Sequence, residues 1–216
     1  MLLALRNDRG TVAGGTMYVQ AVGGAILAEL LLRGRITTVA ERRSTYAVIA
    51  DPTPTGNPEL DECLAKMRTA KKRRKLQSWI FDFARLKGSR HRIAAGLAEQ
   101  GILRSTEEQV LVLFTRRIYP ELDPTVERAI VERLEKAVFS DGGAVDPRTT
   151  VLVALAHHSG LLRANLDRRR LKTRKARIDE IIQGDAIGRA TKEAIQAVQA
   201  AVLMAAIMPA VIASSS

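Results

Sequence analysis

Lys87 and Arg90 are the residues whose types and spacing best suit chemistry with a ligand. They stand three positions apart and so share one face of a helix, with Arg85 and Arg92 flanking them. The helix pattern runs from Ser89 to Gln100 and is closed by Gly101, which puts the basic group near its N-terminal end. There, backbone donors add to the attraction for an anion. A guanidinium meets phosphate with a planar fork, and an ammonium meets it as a point charge. The chemistry this group suits is anion binding, with no bond made or broken.

Other reactive constellations are poorly supported. His91 is far in sequence from His157 and His158, and neighbouring histidines on one helix point about 100° apart, too far to chelate together. Cys63 has no partner at metal-ligand spacing and reads as a small buried residue. Gly14-Gly15 and Gly23-Gly24 lack the Lys-Ser/Thr of a phosphate loop and the strand–turn–helix setting of a dinucleotide fingerprint. Asp61-Glu62 falls in the first turns of a helix, where acids suit the macrodipole. The expectation is a non-enzymatic protein with no metal and no cofactor.

The formal charge of +11 is unevenly placed. Residues 66–92 hold eleven Lys/Arg against Asp82, and residues 163–177 hold eight against Asp167. Such concentration points to a polyanionic partner, the alternative being a solvated arginine-rich surface. Lys71 to Lys75 is the longest basic run and reads as a loop or helix end. A single cysteine precludes an intrachain disulfide and fits a reducing cytosol. The apolar run at Met1–Leu5 is too short for a secretory signal.

The elements that must position the basic group read as mainly α: one globular helical domain over 1–216 with short β-hairpins. Apolar residues recur at helical spacing from Tyr18 to Leu32, ending at Gly34. Ile36 to Ala50 reads as a hairpin about Arg42-Arg43-Ser44, and three prolines between Pro52 and Pro58 break the chain before a helix from Glu59. Ser78 to Phe83 is helical. Ile102-Leu103 and Val110 to Phe114 read as strands, the latter returning through Arg116 to Tyr119. Asp123-Pro124 and Asp146-Pro147 each start a helix, running to Phe139 and to His158. Asn165 to Ile182 and Thr191 to Ala213 complete the set. The last, nearly uncharged and alanine-rich, reads as a buried helix of the core rather than a membrane span.

Leu30-Leu31-Leu32-Arg33-Gly34-Arg35, then Pro54-Thr55-Gly56, then Leu60-Asp61-Glu62-Cys63-Leu64, resemble the Golgi phosphoprotein 3 family. Arg90-His91-Arg92-Ile93-Ala94 through Gly101-Ile102-Leu103, and Asp146-Pro147-Arg148 through Leu155-Ala156-His157, extend the resemblance in the same order. It implies a largely helical adaptor, cytoplasmic and peripheral to membranes, that reads phosphatidylinositol 4-phosphate without catalysing a reaction. Of the four side chains that hold the phosphate in eukaryotic members, two correspond to Lys87 and Arg90. The tryptophan and the first arginine correspond to Gly14 and Gly23. Lys87, Arg90, Arg85 and Arg92 are therefore the expected headgroup contacts, with loose selectivity for anionic phospholipids. The family's hairpin for docking and self-association corresponds to residues 110–119. There Val110, Val112 and Phe114 share a strand face that either meets a second copy or packs on the core.

A rival reading uses the same residues. The Ser89 to Gln100 helix followed by a hairpin carrying Arg116 and Arg117 resembles a winged helix, whose basic helix and wing bind DNA. Binding that depends on salt but not on sequence, with no specific nucleic acid, is the expectation.

Overall fold

A 3-10 turn (Leu2–Ala4) leads into a two-residue strand β1 (Leu5–Arg6), paired antiparallel with β2 (Thr11–Val12). The structure, a computed structural model, describes residues 1–6, 11–12, 17–41, 44–110, 114–183 and 195.

Helix α1 (Tyr18–Leu32) is the centre of the fold, because its apolar residues leave little polar face. Leu27, Leu30 and Leu31 are almost wholly buried. It ends in Gly34 at φ +67°, with the Arg35 amide donating to Leu30 O and the Gly34 amide to Leu31 O. This is the paired bonding of a left-handed helix stop. The hairpin β3 (Ile36–Glu41) and β4 (Ser44–Ile49) follows, in register from Ile36 opposite Ile49 to Glu41 opposite Ser44.

The prolines then turn the chain into α2 (Pro58–Arg68), capped by Asn57 Oδ1, which accepts from the Glu59 and Leu60 amides. Asp61 Oδ1 accepts from the Thr55 amide at 2.6 Å and from Thr55 Oγ1 at 2.7 Å, pinning the Pro-Thr-Gly turn to the helix. Burial opposes ionisation of Asp61, but the Thr55 bonds prevail and hold its pKa below the usual carboxylate value.

Lys71 to Arg73 form a loop as read, whereas Arg74 and Lys75 depart from the sequence reading. Arg74 and Lys75 form a strand, β5 (Arg74–Lys75), on the outer edge of β4. The Arg74 guanidinium bonds Asp82 and lies 4.9 Å over the Trp79 ring, so the end of the run is held rather than loose. Next come α3 (Leu76–Ala84) and α4 (Ser89–Glu99), joined through Gly88 at φ +77°. Helix α3 packs along α1, where a Cβ on Gly23 would lie 2.4 Å from Ile80 O. Only glycine permits that approach.

The strands after α4 also differ from expectation. They are β6 (Thr106–Val110) and β7 (Phe114–Ile118), with Val110 opposite Phe114. The apolar run Val110 to Phe114 is thus not one strand; its ends pair across the hairpin's tip. Alternation alone could not separate a strand from an apolar turn. Ile102 and Leu103 are buried beside α4, and Leu103 makes only an isolated bridge to Glu121.

Helix α5 (Thr125–Phe139) starts one residue later than read, with Pro124 at the N-cap position and Asp123 Oδ1 accepting from the Thr125 amide. Helix α6 (Pro147–His158) starts as read, with Asp146 Oδ1 accepting from the Thr149 amide. The single helix read from Asn165 to Ile182 is three: α7 (Leu161–Asn165), α8 (Arg168–Thr173) and α9 (Lys175–Gln183). Leu166 is extended, Asp167 caps α8 through the Arg170 amide, and Arg174 leaves helical geometry. The last helix read from sequence, together with Gly14 and the hairpin's tip, lies outside the described residues, save that Ile195 is buried.

Candidate anion-binding site

The loop from α3 into α4 builds the site. The Leu86 amide donates to Phe83 O and the Ser89 amide to Leu86 O, so the chain turns tightly through Lys87 and Gly88. Lys87 and Arg85 are exposed and Arg90 is half-buried. None of the three has a carboxylate partner among the described residues.

Arg92 does not join them. Its Nε donates to Glu59 Oε2 at 2.8 Å, its Nη2 lies 2.7 Å from Glu62 Oε2, and its Nη1 donates to Lys87 O at 2.8 Å. Burial opposes its charge, yet Glu59 and Glu62 prevail and raise its pKa. Arg92 is a strut between α4 and α2 and shapes the loop that carries Lys87.

Two groups near Arg90 escaped the sequence reading. The Tyr18 hydroxyl, at the start of α1, is buried with no hydrogen-bond partner among the described residues, as are Ser89 Oγ and Arg90 Nε. Burial pushes the Tyr18 pKa up, and the Arg90 charge pulls the other way, which puts the phenol within the electrostatic reach of the guanidinium. Buried polar atoms normally have partners, so an unsatisfied hydroxyl within the electrostatic reach of a cation suits an incoming anion. No sequence signal singles out Tyr18, which reads as an ordinary first-turn residue.

The remaining candidates are structural. His91 Nδ1 lies 2.8 Å from the Tyr119 hydroxyl, tying α4 to the strand end after β7. Trp79 is 2% exposed and stacks on Phe83. Gly23 faces α3, leaving no room for the family's arginine. Burial pushes the Cys63 thiol up to about 12, so it is no nucleophile at neutral pH. Among the described residues no group of His, Cys, Asp and Glu could hold a metal ion, and no helix is long and apolar enough to cross a membrane.

A family profile described as Golgi phosphoprotein 3 (GPP34) matches residues 1–198. The chain belongs to the Golgi phosphoprotein 3 family. A vacuolar protein sorting-associated protein 74 from Eremothecium gossypii is 32% identical over 153 residues, a match covering 62% of this chain and 46% of that protein. The chain thus spans less than half the length of that relative. The Golgi phosphoprotein 3 motifs divide in two. Arg33-Gly34-Arg35, Pro54-Thr55-Gly56 and Asp61 build the scaffold: Arg33 pairs with Glu29, Arg35 with Asp51, and Asp61 with Thr55. Arg90, in the first turn of α4, is the motif cation that has no ion-pair partner among the described residues.

Proposed function

We propose that this Golgi phosphoprotein 3 member is a non-enzymatic adaptor that binds anionic phospholipid headgroups, phosphoinositides among them, at a membrane surface. Lys87 and Arg90 make the primary contacts and Arg85 a peripheral one. The observation that carries this reading is the trio of unpartnered buried polar atoms, Tyr18 hydroxyl, Ser89 Oγ and Arg90 Nε, beside two unpaired cations at the start of α4. Arg92 supports the loop rather than the lipid. The hairpin β6–β7 is the element we assign to docking and self-association.

Vesicle sedimentation tests the reading with neutral, phosphatidylserine, cardiolipin and phosphoinositide vesicles. Each cation near an anionic leaflet contributes about 1 kcal/mol, so Lys87→Ala/Arg90→Ala should weaken binding roughly 30-fold. Retention should follow headgroup charge and weaken with salt. Equal binding to neutral vesicles, an unaffected double variant, or a DNA site held at nanomolar affinity in physiological salt would each overturn it.

A further inference from the structure

The second basic segment surrounds a cavity that the headgroup site does not use. Helices α6 to α9 border an open cavity of about 850 Å³. Leu162, Leu171 and Ile178 form its floor, each buried, while Arg163, Arg168, Lys172 and Lys175 stand exposed around its mouth. None of these four cations has an ion-pair partner among the described residues.

Two neighbouring acids are committed elsewhere. Asp167 Oδ1 accepts from the Arg170 amide at 2.7 Å, and Glu180 pairs with Arg177 at 2.9 Å. Asp179 acts on His157, a wall residue whose pKa is lowered by burial and by Arg163 and Lys175. The fold itself aims the cations. Leu166 is extended and Asp167 caps α8, so the break between α7 and α8 turns Arg168 and Lys172 back toward Arg163. The Arg168 Nε bond to Arg163 O, at 3.1 Å, fixes that corner.

We infer that this cavity is a second binding site, for an anionic amphiphile of the monoacyl phosphate class, with its chain on the leucine–isoleucine floor and its phosphate among the four cations. Its volume lies within the range of about 300–1,000 Å³ usual for small-molecule sites. A fully solvated basic surface would need no apolar floor, and an apolar core defect would carry no ring of unpaired cations. The inference does not rest on the reading of α4.

The test is calorimetric titration of the full chain with myristoyl lysophosphatidic acid below its micellar concentration. Monomyristoylglycerol is the probe without phosphate, and glycerol phosphate the probe without a chain. One saturable site for the lysophosphatidic acid is expected, with both partial probes markedly weaker. Arg168→Ala/Lys172→Ala should weaken binding about tenfold, equivalent to ~1.4 kcal/mol. Ala164→Trp, at an exposed lining position, should block the cavity while far-ultraviolet circular dichroism stays unchanged. The control Lys71→Ala/Lys72→Ala removes equal charge from an exposed turn and should leave binding intact. The inference is overturned by absent binding, by either partial probe or a polyglutamate peptide matching the amphiphile, by an equal loss in the control, or by undiminished binding to a folded Ala164→Trp chain.

Discussion

Replacing Gly23 with alanine should destabilise the protein, although alanine is the better helix former. The added Cβ would lie 2.4 Å from Ile80 O and 2.9 Å from both the Cβ and the amide nitrogen of Ala84. Ile80 O and Ala84 N are backbone atoms of α3 and cannot rotate away, so α1 and α3 must part along their shared length. Overpacking of this kind costs about 1–3 kcal/mol. Two backbone atoms among the three closest contacts put Gly23→Ala at the upper end, against a helix-propensity gain of about 1 kcal/mol. A net loss near 2 kcal/mol should lower the melting temperature of a 216-residue chain by ~4–8 °C. Gly96→Ala is the matched comparison: it also lies inside a helix, but its Cβ would meet nothing within 4 Å, so it should hold or gain stability. Thermal and urea melts followed by circular dichroism read both. A Gly23→Ala chain melting as high as Gly96→Ala would refute the argument. The same reasoning makes Gly23→Arg a loss of fold, not a recovered headgroup ligand.

Three further outcomes follow from the site. Arg92→Ala leaves Glu59, 7% exposed, without its counter-charge, and should lower the urea midpoint by an amount equivalent to ~2 kcal/mol with the slope unchanged. Tyr18→Phe removes a hydroxyl that has no partner among the described residues, so stability should hold while headgroup affinity, read by sedimentation, falls roughly 3- to 10-fold. His157 and His158 have pKa values lowered first by burial, so the folded chain binds protons less readily than the unfolded one. Their contribution is complete above the unfolded value of about 6.5 and is lost as pH falls through the folded values. Urea melts between neutral and mildly acid pH should show this decline, and His157→Gln/His158→Gln should flatten it.

Where local chemistry decides structure, the sequence was legible. Helix α1 was readable from Tyr18 to Leu32 because its apolar spacing and the Gly34 stop agree. Asp146-Pro147 likewise announced α6. The reading failed where partners lie far along the chain. Arg74 is drawn into strand β5 by β4 and by Asp82, and nothing in its own basic run specifies that. Val110 and Phe114 pair because the chain reverses between them, whereas alternation alone made one strand of them. The site was half legible. Helical spacing put Lys87 and Arg90 on one helix face, whereas Lys87 lies in the turn before α4, and it placed Arg92 beside them as a secondary contact because its acidic partners sit on α2.

That difference between cations bears on how the charge of residues 66–92 acts at a membrane. Arg92 is held by Glu59 and Glu62, Arg74 by Asp82 with Lys66 3.9 Å from the same carboxylate, and Arg73 by Glu41. These cations stiffen the junction of α2, α3, α4 and the three-stranded sheet, and most of their field closes on neighbouring acids. Lys87, Arg85 and Arg90 have no such neighbour among the described residues. The segment therefore divides its cations between two tasks, clamping a rigid loop and presenting charge from it. A lipid phosphate drawn to the unpaired cations would meet an arginine whose setting is fixed before contact, because the paired ones have already removed the loop's freedom. Ordering a loop or a long side chain at binding costs affinity, and pre-organisation removes that cost. Under the proposed function, Arg92 would contribute to headgroup recognition without touching the headgroup, by holding Lys87 O and the first turn of α4 in place.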